Sequence, residues 1–145
     1  MPDFVLETNV TAPPERVFQA LTEPSELTAW WAPEIVAEPR AGTLLQASFR
    51  GGAFVIVVEV AALTPARQVE WIPRRGAPPQ WQGTRITWAL SPSAGGTRLV
   101  FAQRGFTAAG PDGALPGAGG WTFYCASLKD YLETGHGRPG AFVER

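Results

Sequence analysis

The chain reads as an α+β protein in which a curved antiparallel β-sheet wraps around one long C-terminal α-helix, with two short helices after the first strand. Three observations predict this. Trp121, Tyr124, Cys125, Leu128, Tyr131 and Leu132 recur at three- and four-residue steps, which places them on one face of a helix of about four turns. The run Gly119-Gly120 precedes that stripe and Gly135 follows it, where a residue of positive φ closes a last helical turn. Nearly everything between the first short helices and this one alternates apolar and polar residues with the period of two that marks strands.

In chain order, Phe4, Leu6, Thr8 and Val10 alternate with Val5, Glu7 and Asn9 as a first strand with one buried face. Thr11 is placed to cap a helix whose first turn accepts Pro13 and Pro14, because the missing N–H groups would be unpaired there anyway. Val17, Phe18 and Leu21 form its apolar face. Pro24 restarts the chain in a second short helix carrying Leu27, Trp30 and Trp31, and Pro33 ends it by disfavouring the helical conformation at Ala32. Strand and turn patterns begin at Ile35. Leu45, Ala47 and Phe49 share a face, Gly51-Gly52 signals a hairpin, and Phe54, Ile56, Val58 and Val60 face inward on the next strand.

Thr64-Pro65-Ala66 is a turn, Val69 and Trp71 alternate with Gln68 and Glu70, and Pro73 with residues 74–82 should break the ladder as a loop. Ile86, Trp88 and Leu90, then Leu99, Phe101 and Gln103, face inward on the last two strands. A turn over residues 91–96 joins them. Residues 105–120 are rich in Gly, Ala and Pro without a period, and form a loop crossing to the concave face. After Gly135, residues 137–140 should turn, with Phe142 and Val143 docking back.

A chain of 145 residues with 45% hydrophobic residues is the size of one domain, residues 1–145. A domain of this size buries about two-thirds of its unfolded surface. Twelve basic and 13 acidic residues give a net charge of -1 without blocks of like charge, which speaks against a nucleic-acid partner. No run approaches the roughly 18 apolar residues of a membrane span, and Met1-Pro2-Asp3 begins no signal sequence. A soluble, cytoplasmic protein without membrane insertion is expected. Cys125 has no second cysteine to pair with, and one Cys with one His cannot make a structural zinc set, so neither metal nor cofactor is expected.

The order of elements, together with Ala12-Pro13-Pro14-Glu15-Arg16-Val17-Phe18-Gln19-Ala20-Leu21-Thr22, Leu27 with Trp30-Trp31, Gly95-Gly96-Thr97-Arg98-Leu99, and Gly120-Trp121 with residues 127–135, resembles the helix-grip fold of the START-like (SRPBCC) superfamily. Within it the chain is most similar to bacterial relatives of the activator of heat-shock-protein-90 ATPase. The resemblance covers almost the whole chain. It implies a deep apolar cavity between helix and sheet, used for lipids, polyketides or other hydrophobic molecules in different members, and a chaperone-binding surface in the eukaryotic activators. It also implies a cavity mouth at Trp30, Trp31 and Phe106, where the two tryptophans either gate a portal or pack on the sheet as a lid.

The inward parities give the candidate lining: Phe49, Phe54, Trp71, Trp88 and Phe101 from the sheet, and Trp121, Tyr124, Cys125 and Leu128 from the helix. These side chains either fill the interior as core or line an open cavity. Gln103, on the inward parity beside Phe101, is the candidate for an orienting hydrogen bond, or else frays into water at its strand end. Tyr124 could offer a phenol to a substrate carbonyl or be a core tyrosine. Cys125 has no visible His or Lys to lower its pKa and reads as a small buried hydrophobe. Arg74 and Arg75 either meet an acidic head group at the cavity rim or form a solvated loop pair, Arg50 is placed to bridge to Glu59 or Glu70, and His136 sits as a solvated cap beyond the helix end. G-x-S-x-G, P-loop and H-E-x-x-H patterns are absent.

Three functions follow. The first is a module binding a hydrophobic small molecule, lipid or polyketide-like, between sheet and helix. The second is a cofactor-free cyclase or dehydratase using Tyr124 and Gln103, and the third is a protein-interaction domain of the co-chaperone kind. A homodimer or protein partner is compatible with all three.

Overall fold

A computed structural model of the protein describes residues 3–76, 79–106 and 117–142. Among these, the strands are β1 (Phe4–Val10), β2 (Glu34–Val36), β3 (Leu44–Phe49), β4 (Phe54–Thr64), β5 (Gln68–Arg75), β6 (Arg85–Ser93) and β7 (Gly96–Arg104). The helices are α1 (Pro14–Thr22) and α2 (Pro24–Trp30), which follow β1, and α3 (Ala118–Thr134). The strands form one antiparallel sheet in the order β1-β7-β6-β5-β4-β3-β2, curved around α3 as the alternation and the helical stripe predict. From β2 to β7 each strand pairs with the next in sequence, so tight turns suffice, and only β1 crosses over to join β7.

The inward faces follow the sequence parity. Leu45 and Ala47 of β3, Ile56, Val58 and Val60 of β4, Val69 and Trp71 of β5, Ile86, Trp88 and Leu90 of β6, and Leu99 and Phe101 of β7 are buried in one core with Trp121, Tyr124, Cys125 and Leu128 of α3.

Several boundaries differ from the expectation. Thr11 does not cap α1: Pro13 stands at the N-cap without a side-chain bond, and the Thr11 N–H donates instead to Glu133 Oε2 of α3 at 2.9 Å. Strand β5 runs through Pro73 to Arg75 rather than ending as a loop. Its pairing with β6 stops at Trp71, so Pro73 lies in a stretch paired to β4 alone, beside a register shift at Val57/Val58. Within the expected loop, Pro79–Trp81 forms a 3-10 turn with Trp81 buried. Helix α3 begins one turn early, with Gly119 and Gly120 inside it, because Gly117 at φ +86 supplies the entry turn. Most of the expected crossing loop, and Val143, lie outside the described residues.

The chain after α3 returns across the mouth of the sheet. The Arg138 N–H donates to Ser127 Oγ at 2.7 Å, Gly140 N–H to the Trp31 carbonyl at 2.9 Å, and Phe142 N–H to the Tyr124 hydroxyl at 3.3 Å. Gly137 packs so closely that a Cβ would stand 2.3 Å from the Ala29 carbonyl oxygen.

Candidate functional site

The space between sheet and α3 is built from indoles. Trp71 and Trp88 project inward from β5 and β6, Trp121 is the first inward residue of α3, Trp30 and Trp31 close α2, and Trp81 comes from the 3-10 turn. All six tryptophans are at most 4% exposed. Four of them make a column. Trp71 stacks on Trp31 at 5.2 Å and 17°, Trp31 on Trp121 at 5.8 Å and 28°, and Trp121 on Trp81 at 5.8 Å and 18°. Trp88 stands edge-on to Trp71, Trp30 and Trp121 at 5.6, 5.8 and 5.9 Å. Phe101 fills the corner at 4.8 Å from Trp88 and 4.7 Å from Trp121. These offset and edge-on arrangements are the ones aromatic quadrupoles favour.

The rings therefore occupy the space themselves. A cavity of about 10 Å³, room for roughly one water, is left at the rim between Leu21, Leu45, Val60 and Trp71. A hollow of about 180 Å³ lies elsewhere, beside the start of α1, lined by Pro14, Glu15, Ala66, Arg67, Leu90, Ser91 and Pro92.

Of the sequence-predicted lining, Phe49, Trp71, Trp88, Phe101, Gln103, Trp121, Tyr124, Cys125 and Leu128 come together and are buried. Phe54 does not join them. It follows the turn at Arg50–Gly52 and is 45% exposed, touching the interior through Phe49 at 5.7 Å. The residues assigned to the mouth, Trp30, Trp31 and Phe106, are buried at 0, 2 and 1%, the two tryptophans packed inward as a lid would be. Trp30 N–H donates to the Ala20 carbonyl at 2.8 Å, and the turned backbone at Trp31 (φ -109, ψ -71) swings the second indole into the column. Sequence reading missed Trp81, because its proline-flanked segment carries no period; a large aromatic in such a segment was the available signal.

Buried polar groups are few and mostly matched. Gln103, fully buried, donates through Nε2 to Thr84 Oγ1 at 3.0 Å and accepts Trp121 Nε1–H on Oε1 at 3.1 Å; Thr84 donates onward to the Trp81 carbonyl at 2.7 Å. Its amide is thus spent on fixing Trp121 and the Trp81 turn, rather than fraying into water. Ser127 donates to the Trp30 carbonyl at 2.9 Å. Among the described residues, the buried side-chain donor without a partner is Trp88 Nε1, in the midst of the rings.

Burial pushes the Cys125 thiol up to about 12, leaving it protonated and inert at neutral pH. The Tyr124 hydroxyl is also raised by burial, against the lowering pull of the Phe142 N–H bond and the charge of Arg50. Arg50 does not bridge to Glu59 or Glu70: Arg74 takes Glu59 and Arg85 takes Glu70. Arg74 is therefore not free at the rim. Behind the column, Arg16, Glu26 and Tyr131 tie α1, α2 and α3 together, with Arg16 and the Tyr131 hydroxyl each donating to Glu26 Oε1 at 2.6 Å. Among the described residues no group of three or more His, Cys, Asp or Glu side chains is placed to hold a metal ion, and no helix is long and apolar enough to cross a membrane.

A sheet curved on one long helix, with its aromatic face turned toward that helix, defines a helix-grip domain of the START-like (SRPBCC) superfamily. The profile of the family described as Activator of Hsp90 ATPase homolog 1-like protein matches residues 11–133, and the chain belongs to that family. No curated protein matches. Among solved structures, the chain is similar to the Aha1 dimer from Colwellia psychrerythraea, studied in solution, with 28% identity over 94% of this chain and 100% of that one and a TM-score of 0.82. Protein MLL2253 from Mesorhizobium loti is 26% identical over 91% of this chain and 97% of that one, with a TM-score of 0.75. Protein SSP2350 from Staphylococcus saprophyticus shares the fold, with a TM-score of 0.79 at 19% identity over 94% and 96% of the two chains.

Proposed function

We propose that this chain, as one helix-grip domain, binds a flat hydrophobic small molecule between sheet and α3, by displacing part of the indole column packed there. The observation that carries this reading is the Trp88 N–H. A buried donor without an acceptor costs about 1–3 kcal/mol, and native interiors seldom keep one. An acceptor atom on a bound molecule would satisfy it, while the surrounding ring faces would stack on an apolar body. Trp31 is the ring best placed to yield, since it stands on a helix end rather than in a strand. The cyclase reading has less support, because Gln103, one of its two polar groups, is committed to Thr84 and Trp121.

The test is a thermal-shift screen with fatty acids, flavonoids and aromatic polyketides, followed by native mass spectrometry, on the wild type and on Trp31→Ala, which vacates part of the column. A compound that raises the melting temperature of both, more so in Trp31→Ala, supports the reading. If no compound raises either, the indoles are core and the reading is wrong.

A second reading has its own observation. Val36 of β2 and Leu44 of β3 are 68 and 53% exposed on the outer face beside the free edge of β2. That surface suits a second copy of the chain, in keeping with the dimeric Colwellia relative. A mass that stays monomeric at high concentration in light scattering would remove it.

A further inference from the structure

Residues 136–142, which follow α3, hold a core ring in place without belonging to the core. Gly135, at φ +85, ends the helix, and the chain folds back along the end of α2. No residue of 136–142 is buried. Among the described residues their hydrogen bonds go to the end of α2, to α3 and to the segment itself, none to a strand. The ring that depends on them, Trp31, is 2% exposed and stacks between Trp71 and Trp121.

Helix α2 has 7 residues, too few to stand in water without tertiary support, and its last carbonyls need donors from elsewhere. The tail and α3 supply them. Gly140 N–H donates to the Trp31 carbonyl at 2.9 Å, while Ser127 Oγ donates to the Trp30 carbonyl at 2.9 Å and accepts the Arg138 N–H at 2.7 Å. Gly137 lies flat on the same turn, where a Cβ would stand 2.3 Å from the Ala29 carbonyl oxygen and 3.0 Å from Trp30 Cα. The side chains that hold the tail down are slight by comparison. Arg138 pairs with Asp130 at 2.8 Å, the two 46 and 40% exposed, and lies 5.3 Å over the Phe123 ring; the Phe142 ring stands 5.7 Å from Phe123. Exposed ion pairs and solvated ring contacts each contribute little. Segments with few buried contacts open locally at a fraction of the cost of global unfolding.

We propose that residues 136–142 are a latch on Trp31. Seated, they fix the end of α2 and keep the indole column closed; lifted as a unit, they release Trp31 from between Trp71 and Trp121 while the sheet and α3 stay folded. The sheet stays because no strand hydrogen-bonds to the latch. Helix α3 stays because its own cap, the Gly135 N–H on the Tyr131 carbonyl at 2.8 Å, precedes the segment. The opening needs no ligand. Its use as the entry route rests on the small-molecule reading above, and there the latch sets the affinity, which scales with the fraction of molecules in the open state.

Native-state hydrogen exchange by NMR reads the latch through the Trp31 and Ala32 N–H groups, which close α2 on the Leu27 carbonyl. In the wild type they should exchange faster than the amides of β6 and β7 and with a shallower dependence on urea, because little surface opens. Gly137 is not of positive φ, so Gly137→Ala disturbs the seat on Ala29 alone and should speed both groups about tenfold. Arg138→Ala, which removes only the ion pair and the ring contact, is the milder variant and should speed them about threefold. Gly76→Ala, which strains β4 against the end of β5, should speed the strand amides and leave Trp31 and Ala32 unchanged, since latched and unlatched molecules share the sheet. The latch is overturned if Gly76→Ala speeds Trp31 and Ala32 as much as the strands, if their urea dependence equals that of the strands, or if neither tail variant speeds them. Flavone, titrated into the same proteins, should bind Gly137→Ala about tenfold more tightly than the wild type. Equal affinity for both overturns the latch as the control of the site. Failure of flavone to bind any of them, with the exchange as expected, counts against the small-molecule reading and leaves the latch standing.

Discussion

Trp121 Nε1 donates to Gln103 Oε1 at 3.1 Å, so the ring at the head of α3 is pinned to the last strand by a side-chain amide with no exposure to water. The same amide reaches Thr84, which holds the Trp81 turn. Gln103→Leu would leave the Trp121 N–H unpaired and deprive Thr84 of a donor. It should destabilise by about 2–4 kcal/mol, measured by urea denaturation, while Gln103→Glu, which keeps an acceptor for Trp121, should cost less than Gln103→Leu if the Trp121 bond dominates.

Glu26 Oε1 accepts from both Arg16 and Tyr131, each at 2.6 Å, on three different helices. Tyr131→Phe removes one of these donors and leaves the ring beneath Arg16. A loss of about 1–2 kcal/mol is expected, and in a double-mutant cycle with Glu26→Gln the two effects should be clearly less than additive.

Glu133 is held below the ordinary carboxylate range, first by the Lys129 ammonium at 2.8 Å and then by the Thr11 N–H. A depressed folded-state pKa contributes stability that is complete above the unfolded value and is lost as pH falls through the folded one. Melting temperatures at about pH 6 and about pH 3 should therefore fall further apart in the wild type than in Glu133→Gln. Because this carboxylate is largely solvated, the difference should be a fraction of a kcal/mol.

Gly76, at φ +78, lies against β4 so closely that a Cβ would stand 1.7 Å from the Val55 carbonyl oxygen. Gly76→Ala forces backbone against backbone in a conformation that L-residues avoid, and should destabilise by about 2–4 kcal/mol. Gly42, also of positive φ but in open space, gives the control: Gly42→Ala should cost only about 1 kcal/mol.

Cys125, its thiol pushed up to about 12, should resist iodoacetamide in the native protein at about pH 8 and react readily in denaturant. Mass spectrometry of the two samples gives the answer directly.

How much of this was legible depended on what each residue needed in order to be read. The stripe from Trp121 to Leu132 and the alternation from Leu45 to Phe101 are local periodicities, so α3 and most of the sheet follow from the sequence. The partners of Glu59 and Glu70 are not local. They depend on register: Glu59 stands opposite Leu44, at the other end of the β3–β4 ladder from Arg50, and Arg74 of β5, beside the shift at Val57/Val58, takes it instead. Trp81 sits in a segment without period, and its burial comes from stacking on Trp121. Whether inward aromatics line a space or fill it is a question of summed volume and ring orientation, and parity carries neither.

Seven indole contacts at 5.2–6.2 Å link all six tryptophans of the chain. At such spacings their electronic transitions couple, and light absorbed by any ring migrates among the others before emission. The six indoles of the protein are thereby linked into one network. Its near-ultraviolet dichroism and its fluorescence colour belong to the whole column, so displacement of a single ring should register as a change in the shape of the spectrum.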